Sequence, residues 1–550
     1  MSKPVVKVFL ARKIITINPA QPCATHIAVR DGKILSLGTA DDVKQWGSVE
    51  IDTRFADKTL MPGFVEGHCH LMEGSMWSAV YVGYYDRRGP DGKLWSGLKT
   101  IESVIGRLAE AQALMGDSGK PLLAWGFDPI FFGDARLSAG ELDRVSATRP
   151  IVVLHASVHL MNVNSAMLDL AEITGGDEIE GVPLGADGKP TGELQEFAAM
   201  LPVYRVIGQG LSIAASENLD SIWNFGRVAQ LAGVTTATDL VNDLSEAGNK
   251  NLQQVAADPD YPVRLVPAYA PQRSGENNAQ RVLDAIGAST DKLRFGLVKL
   301  IVDGSIQGFT ARLRWPGYFN GSPNGLWLVP PAQLEDLIKT FHCAGLQLHI
   351  HTNGDEATEV TLDALERVLD QYPRHDHRHT LQHCQMADAA QFRRMAKLGL
   401  CVNLFANHIY YWGDAHYTKT MGPDRANRMD AGGSAIRHGV PVAFHSDAPI
   451  TPLNPLFTAW CAMQRETAGG RILGESERIT LDQALHAITL GAAYTLKLDH
   501  QIGSLEIGKF ADFAVLEEDP LSIDPARLKD IRVWGTVVAG RMFEAPGKNG

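Results

Sequence analysis

Paired cysteines, a basic block and a long apolar run are all missing from this 550-residue chain. Its six cysteines are scattered without C-x-x-C spacing, which argues against a disulfide framework and for a reducing compartment. Lys and Arg total 51 against 63 Asp and Glu, a formal charge of −12, so nucleic-acid binding has no electrostatic support. The N-terminal stretch MSKPVVKVFLARKIITINP has no uninterrupted signal core. We therefore expect a cytoplasmic protein without a membrane segment.

The composition that remains is that of a globular enzyme. Hydrophobic residues make up 45% and charged residues 21%, and the length calls for two or more structural units. We expect a small-molecule substrate, and the oligomeric state is open between a monomer and a homo-oligomer.

The two ends of the chain share a β-rich texture. Short apolar runs with turn residues fill residues 5–60, and Asp31–Gly32 between two of them is typical of a hairpin. The last fifty residues are similar, with FADFAVLE and IRVWGTVVAGRMF. The economical interpretation is one small β-domain assembled from both termini.

The middle of the chain alternates apolar strands with helix-like stretches. RFGLVKLIVD, LQLHIHT, HTLQHCQ and VPVAFHSD are such strands, and LEDLIKTFHCAG is a helix pattern closed by Gly345. Strand–helix repetition over some 400 residues predicts a parallel β/α architecture.

Two histidines stand two residues apart in PGFVEGHCHL. On a strand, positions i and i+2 point to the same side, so His68 and His70 can reach one metal ion. A polar strand end is the alternative interpretation of this motif.

Lys299 is enclosed by apolar neighbours in LRFGLVKLIVDGS. Burial favours the neutral amine, which reacts with carbon dioxide to a carbamate able to bridge two cations. Pairing with Asp303, or reaching the surface, is the alternative.

Three further candidates each end an apolar strand. They are His351 in LHIHTNGDEA, His383 in LQHCQ and Asp447 in VAFHSDAPITP. Taken singly, the histidines are typical of structural hydrogen bonding and the aspartate of a helix cap.

Spacing favours the metal-site interpretation. A (β/α)₈ barrel uses about 31 residues for each strand–helix unit. His351 to His383 spans 32 residues and His383 to Asp447 spans 64, one and two units. His70 to Lys299 spans 229, so a large insertion precedes Lys299. Strands 1, 4, 5, 6 and 8 then carry all the candidates to the C-terminal rim, where barrel active sites lie.

These motifs, with QHC and the C-terminal segment TLDQALHAITLGAAYTLKLDHQIGSLEIGKFADFAVLEEDPL, resemble the amidohydrolase superfamily. The resemblance is to the branch of YtcJ-like proteins and N-substituted formamide deformylases, and it covers essentially the whole chain. It implies an α/β fold, a (β/α)₈ TIM-type barrel with an inserted subdomain plus a small β-sandwich built from both termini. The expected parts are residues 1–60 and 500–550 for the sandwich and 61–499 for the barrel, with the insertion at roughly 75–215.

The resemblance also implies a metal centre. Its ligands would be His68, His70, Lys299 as a carbamate, His351, His383 and Asp447. Glu66 stands where many members carry Asp, a departure at a position that is not a usual ligand. Glu193 or Glu196 is an alternative source of the bridging carboxylate.

From this we expect a hydrolase that cleaves a C–N bond of an N-acyl or N-formyl amine with a hydroxide bound to two Zn²⁺ ions. Manganese, iron or nickel are alternative metals. Asp447 would act as general base and then general acid. Substrate contacts are expected from His159, His408, Tyr410 and Trp412. His159, Asn162 and Asn164 in the inserted region are expected to close over the site.

Three other functions remain open. A mononuclear deaminase would use a carboxylate just after His351, where Asp355 and Glu356 stand. An ester or lactone hydrolase would use the same hydroxide. A non-catalytic metal- or small-molecule-binding relative is the alternative of another class.

Overall fold

The computed structural model describes residues 6–46, 49–116, 119–133, 135–174, 181–208, 211 and 215–545. The strands, in chain order, are β1 (Val6–Ile15), β2 (Cys23–Arg30), β3 (Lys33–Gly38), β4 (Val49–Pro62), β5 (Phe64–Glu66), β6 (Val80–Tyr81), β7 (Arg87–Arg88), β8 (Leu94–Trp95), β9 (Leu122–Phe127), β10 (Ile151–His155), β11 (Leu160–Val163), β12 (Glu193–Gln195), β13 (Val234–Asn242), β14 (Arg264–Tyr269), β15 (Leu297–Ile301), β16 (Gln347–Thr352), β17 (Thr380–His383), β18 (Cys401–Leu404), β19 (Val442–Phe444), β20 (Phe513–Leu516), β21 (Val533–Val538) and β22 (Arg541–Glu544).

The helices are α1 (Ala40–Lys44), α2 (Met72–Met76), α3 (Ile101–Leu114), α4 (Ala139–Asp143), α5 (Ser165–Leu170), α6 (Glu196–Ile207), α7 (Leu219–Leu231), α8 (Glu246–Ala257), α9 (Pro271–Ser274), α10 (Ala279–Ile286), α11 (Pro331–Cys343), α12 (Asp355–Gln371), α13 (Ala389–Lys397), α14 (Asn407–Ala415), α15 (Pro423–Ala426), α16 (Gly432–Arg437), α17 (Pro455–Gln464), α18 (Leu481–Ala487) and α19 (Leu490–Thr495). A π-helical turn, His416–Thr420, follows α14 directly. Among the described helices, none combines the length and apolar character that crossing a bilayer requires.

Eight parallel strands form one sheet in the order β5, β13, β14, β15, β16, β17, β18, β19. Just beyond the ends of β19 and β5, the Asp447 N–H donates to the His68 carbonyl at 3.1 Å, so the first and last strands meet. This is a nearly closed (β/α)₈ barrel, which confirms the predicted fold class. Because the strands are parallel, their C-terminal ends share one rim.

Strands from both ends of the chain form a second sheet, in the order β22, β21, β20, β4, β1, β2, β3. The β2–β3 hairpin turns at Asp31 and Gly32, with φ of 53° and 76°, as a tight two-residue turn of positive φ requires. One face of this sheet buries an aromatic cluster in which the Phe55 ring lies 5.6 Å from Phe9 and 5.2 Å from Trp534. The apolar alternation of both termini thus pairs into one core.

Residues Leu71–Val228 and Ala448–Pro452 form a separate compact unit. It contains a five-stranded sheet in the order β12, β11, β10, β9, β6. Val104, Leu108, Leu122 and Val153 are among the fully or almost fully buried residues of its core. The apolar segment RPIVVLHAS contains β10 of this sheet.

Candidate metal centre

The barrel strands carry the candidate ligands toward one rim. His68 and His70 follow β5, Lys299 is the third residue of β15, His351 is the fifth of β16, His383 ends β17 and Asp447 follows β19. The register sets Ile301 beside His351 and Thr352 beside His383, so these groups lie at similar heights in adjacent strands.

Three of these side chains meet at one carboxylate oxygen. Asp447 Oδ1 lies 3.2 Å from His68 Nε2 and 3.1 Å from His70 Nε2. His68 is 2% exposed, and Asp447 is 8% exposed. Their ligand atoms all lie within 4.8 Å of one another, the arrangement of a metal site with two imidazoles and a carboxylate.

Lys299 extends into the same cluster. Its Nζ lies 3.4 Å from His68 Nε2, and its side chain is 1% exposed. Burial lowers the pKa of Lys299 to about 7, although nearby Asp447 opposes this shift. Burial therefore favours the neutral amine.

Asp303 is occupied by backbone groups. Its carboxylate accepts hydrogen bonds from the N–H groups of Arg312, Asn353 and Gly354, each at 2.9 Å. Asp303 therefore organises the loop after β16, and pairing it with Lys299 is not needed to explain its burial.

His351 and His383 lie side by side, with ring centroids 4.5 Å apart. The His383 ring is also 4.4 Å from that of His68. Burial is the main cause that holds the pKa of both imidazoles well below the ordinary value. Lys299 lowers the pKa of His351 further, and His68 lowers that of His383. Both rings are therefore neutral and able to act as metal ligands.

Strained backbone marks two of the strand ends. His383, Cys384 and Asp447 have φ of 67°, 46° and 53°, a region that non-glycine residues rarely occupy. Such strain persists where the surroundings fix a side-chain position, and it concentrates at functional sites.

A hydrogen-bond chain fixes the tautomer of His68. The Thr495 carbonyl can only accept, so His349 Nε2, 3.2 Å away, carries the proton and His349 Nδ1 accepts from Gln382 Nε2 at 2.7 Å. Gln382 Oε1 consequently faces His68 Nδ1 at 2.7 Å and accepts its N–H. His68 Nε2 is left with its lone pair directed at the cluster.

This tautomer provides a test of whether the residues suit a metal ion. The bare Nε2 lone pair of His68 faces Asp447 Oδ1 at 3.2 Å and Lys299 Nζ at 3.4 Å, so this point is stabilised by a cation, either the Lys299 ammonium or a divalent ion. Burial, with Lys299 opposite, lowers the pKa of His68 to about 4, so a proton does not serve as that cation at neutral pH. The donor set therefore fits a divalent metal.

Asp447 is ionised in this setting. Burial alone would raise its pKa, but the neighbouring imidazoles of His68, His70 and His383 outweigh burial and hold the pKa well below its ordinary value. The carboxylate is thus available both as a ligand and as a proton acceptor.

Glu66 joins the first and last barrel strands. Its carboxyl group contacts the Ser446 N–H at 3.0 Å and the Ser446 hydroxyl at 3.1 Å. Burial raises the Glu66 pKa to about 8. Ser446 immediately precedes Asp447, so the departure at position 66 supports the strand that carries the candidate acid–base.

Sequence reasoning missed His349 and His445. Each lies two residues before a candidate ligand, His351 and Asp447, and on β16 strand parity places His349 on the same side as His351. The recurrence of the spacing that identified His68 and His70 was the available signal.

The expected substrate residues on α14 have packing partners. His408 Nδ1 lies 3.2 Å from His416 Nε2, and the His408 ring lies 4.5 Å from both Phe405 and Trp412. Tyr410 packs on α17, with its ring 5.1 Å from Phe457. Their role as substrate contacts stays a prediction.

Glu193 and Glu196, the alternative sources of a carboxylate between two metal ions, lie in the separate unit and have partners there. His159 Nδ1 lies 3.0 Å from Glu196 Oε2, and Arg136 donates to both oxygens of Glu193 at 3.0 and 2.9 Å. Asn162 and Asn164 are fully buried there, and Asn164 caps α5. The substrate role of His159 also stays a prediction.

The carboxylates after His351 are held in structural interactions. Arg312 donates to both oxygens of Glu356 at 3.1 Å, and Asp355 accepts from the Arg314 N–H at 2.9 Å. This arrangement does not favour either residue as the catalytic acid that a mononuclear deaminase would need.

Comparison with known proteins decides the family. A model described as the amidohydrolase family matches residues 56–543. The chain belongs to the amidohydrolase family. The putative amidohydrolase YtcJ of Bacillus subtilis is 28% identical over 534 residues, covering 94% of this chain and 95% of that protein. The N-substituted formamide deformylase of Arthrobacter pascens is 28% identical over 552 residues, covering 96% of each chain.

Solved structures agree on the fold of this family member. An uncharacterized metal-dependent hydrolase from Pyrococcus horikoshii superposes with a TM-score of 0.72 at 22% identity, covering 94% of this chain and 99% of that one. The predicted family and the prediction of an amidohydrolase enzyme are therefore confirmed.

Proposed function

We propose that this amidohydrolase hydrolyses the C–N bond of an N-formyl or N-acyl amine at a divalent metal centre in the barrel. The observation that carries the proposal is the convergence of His68, His70 and Asp447 on one carboxylate oxygen beside buried Lys299. The deformylase that resembles this chain over 96% of its length supports the formamide class.

The ligands in this proposal are His68, His70, Lys299, His351, His383 and Asp447. Two zinc ions would fit a set of imidazoles and carboxylates, and Lys299 as a carbamate would supply a carboxylate ligand to them. The neutral Lys299 amine would form an N–C bond to carbon dioxide and release one proton, so a neutral buried amine would become an anion with two oxygens. When bound, such ions act as Lewis acids and lower the pKa of water toward about 7.

Asp447 carries the proton in the reaction. Its Oδ1, ionised at neutral pH, accepts the proton of the attacking water and later delivers it to the leaving nitrogen. His70, with Nε2 at 3.1 Å, holds that oxygen in place. The strained φ of 53° at Asp447 directs the carboxylate into the cluster at a conformational cost.

An assay of N-alkyl and N-aryl formamides, the matching acetamides and the matching formate esters tests this function. We expect amine release from the amides, loss of activity after chelation and recovery with Zn²⁺. Hydrolysis of esters alone would support the ester alternative, and ammonia release from an aminated heterocycle would support a deaminase. A protein inactive on every amide with metal bound would contradict the proposal.

The role of Asp447 is tested by Asp447→Asn. General acid–base catalysis contributes about 10²–10⁴-fold, so we expect kcat to fall by that factor or more with metal largely retained. Asp424→Asn makes the same chemical change at an exposed residue and should keep wild-type kcat. Unaltered activity in Asp447→Asn would refute this assignment.

A further inference from the structure

His445 lies directly after β19 and is fully buried. Among the described residues, neither of its ring nitrogens has a hydrogen-bond partner. A neutral imidazole carries one N–H and one lone pair, and leaving both unsatisfied in a protein interior is costly. A ligand that binds one of these nitrogens would remove this cost.

The ring of His445 is held in a stack. It lies 4.5 Å from His68 at an interplanar angle of 15°, and 4.8 Å from Phe405 at 23°. The His383 ring meets it edge-on, at 4.9 Å and 66°. With both faces covered, the ring can interact with a ligand only through its edge, where the nitrogens lie.

The nitrogens of His445, His68 and His383 converge. One ring nitrogen from each lies within 4.8 Å of the other two. Since Gln382 engages His68 Nδ1 at 2.7 Å, His68 contributes Nε2, and His383 Nδ1 also has no hydrogen-bond partner among the described residues. Three neutral imidazoles with nitrogens this close together form a donor set for zinc, cobalt, nickel or copper.

We propose that His445 is an additional metal ligand, binding the ion together with His68 and His383. The inference rests on the metal-dependent function proposed above and extends its ligand set by one residue. The spacing agrees with it, because His445 and Asp447 just after the last barrel strand repeat the i, i+2 spacing of His68 and His70 just after the first. The two ligand groups share His68, so His445 belongs to the same centre and not to a separate site.

Binding of Co²⁺ to metal-free protein tests this assignment. His445→Phe keeps a ring that stacks between Phe405 and His68 and removes both nitrogens. We expect this variant to bind Co²⁺ at least about tenfold more weakly than wild type and to shift the visible Co²⁺ absorption bands, since a nitrogen ligand is lost. His445→Asn should show the same two changes, and it replaces the Phe variant if that protein does not fold.

Phe405→Leu is the matched control, because it disturbs the other side of the stack without removing a nitrogen. It should keep the wild-type Co²⁺ spectrum and affinity. A wild-type spectrum in His445→Phe, or in His445→Asn if only that variant folds, would overturn the role of His445 alone. Wild-type protein that binds no Co²⁺ would overturn both this inference and the proposed function.

Discussion

The chemistry of the centre depends on which nitrogen of one ring carries a proton. The Thr495 carbonyl fixes the tautomer of His349, His349 fixes the orientation of the Gln382 amide, and Gln382 fixes the tautomer of His68. Each step uses a single hydrogen bond of 2.7–3.2 Å. Partners of this kind orient metal-binding histidines and raise their basicity. Gln382 is therefore a positioning residue that acts through His68.

Replacing Gln382 with Leu should weaken metal binding by about 10–100-fold, because His68 loses the acceptor that fixes its tautomer. Gln382→Glu keeps an acceptor for His68 but cannot donate to His349, so an intermediate affinity is expected. Competition with a chromophoric zinc chelator measures both.

Gln253→Leu makes the same substitution at an exposed position of α8 and should leave the zinc affinity unchanged. Wild-type zinc affinity in Gln382→Leu would show that His68 does not need this hydrogen bond.

For single residues, the sequence predicts which residue types serve as ligands but not which hydrogen-bond partners they have. The i, i+2 spacing of His68 and His70 predicted that they lie together, and the same spacing recurs at His349 and at His445. That Gln382 meets His68, 314 residues away, follows from the strand order and register, which periodicity does not encode.

Among the elements, a histidine network joins α11 to the residues just before β17. His379 Nδ1 accepts from the Leu348 N–H at 3.0 Å, so its Nε2–H donates to His342 Nδ1 at 2.9 Å. His377 Nδ1 accepts from the His379 N–H at 3.0 Å. Burial lowers the pKa of all three histidines, and the network is satisfied with neutral rings.

This network should make the fold less stable in acid. A folded pKa below the unfolded value of about 6.5 gives stability that is present above pH 6.5 and is lost as the pH falls toward the folded pKa. Each such group contributes up to about 1.4 kcal/mol per pH unit in that window. Urea unfolding between pH 7.5 and 5.5 should show a falling midpoint, with a smaller fall in His379→Gln.

His375→Gln is the matched control on the same loop, where the side chain is exposed, and it should keep the wild-type pH dependence. Equal pH dependence in wild type and His379→Gln would contradict the role of this network.

Element spacing predicted much of the barrel. The 32 residues from His351 to His383 correspond to β16, α12 and β17, and the 64 from His383 to Asp447 include the skipped strand β18. The sheet of the inserted unit was not predicted, because an apolar run such as Ile151–His155 looks the same whether its neighbours belong to a barrel or to another sheet.

For the whole molecule, the fold class and the family were predictable because motifs far apart in sequence had to meet at one rim. The number of ions, their identity and the substrate depend on sub-ångström ligand positions and on the walls of the site. Lys299 is an example. Its burial can be predicted from the apolar residues around it in LVKLI, but its carbamate depends on carbon dioxide and on nearby cations.

The central claim is that side chains from several barrel strands hold a divalent cation. An anomalous difference map from crystals containing zinc, with data from both sides of the zinc absorption edge, tests it most directly. We predict a zinc peak bounded by His68, His70 and Asp447, present only above the edge. The absence of such a peak there, with those three side chains ordered, would contradict the account.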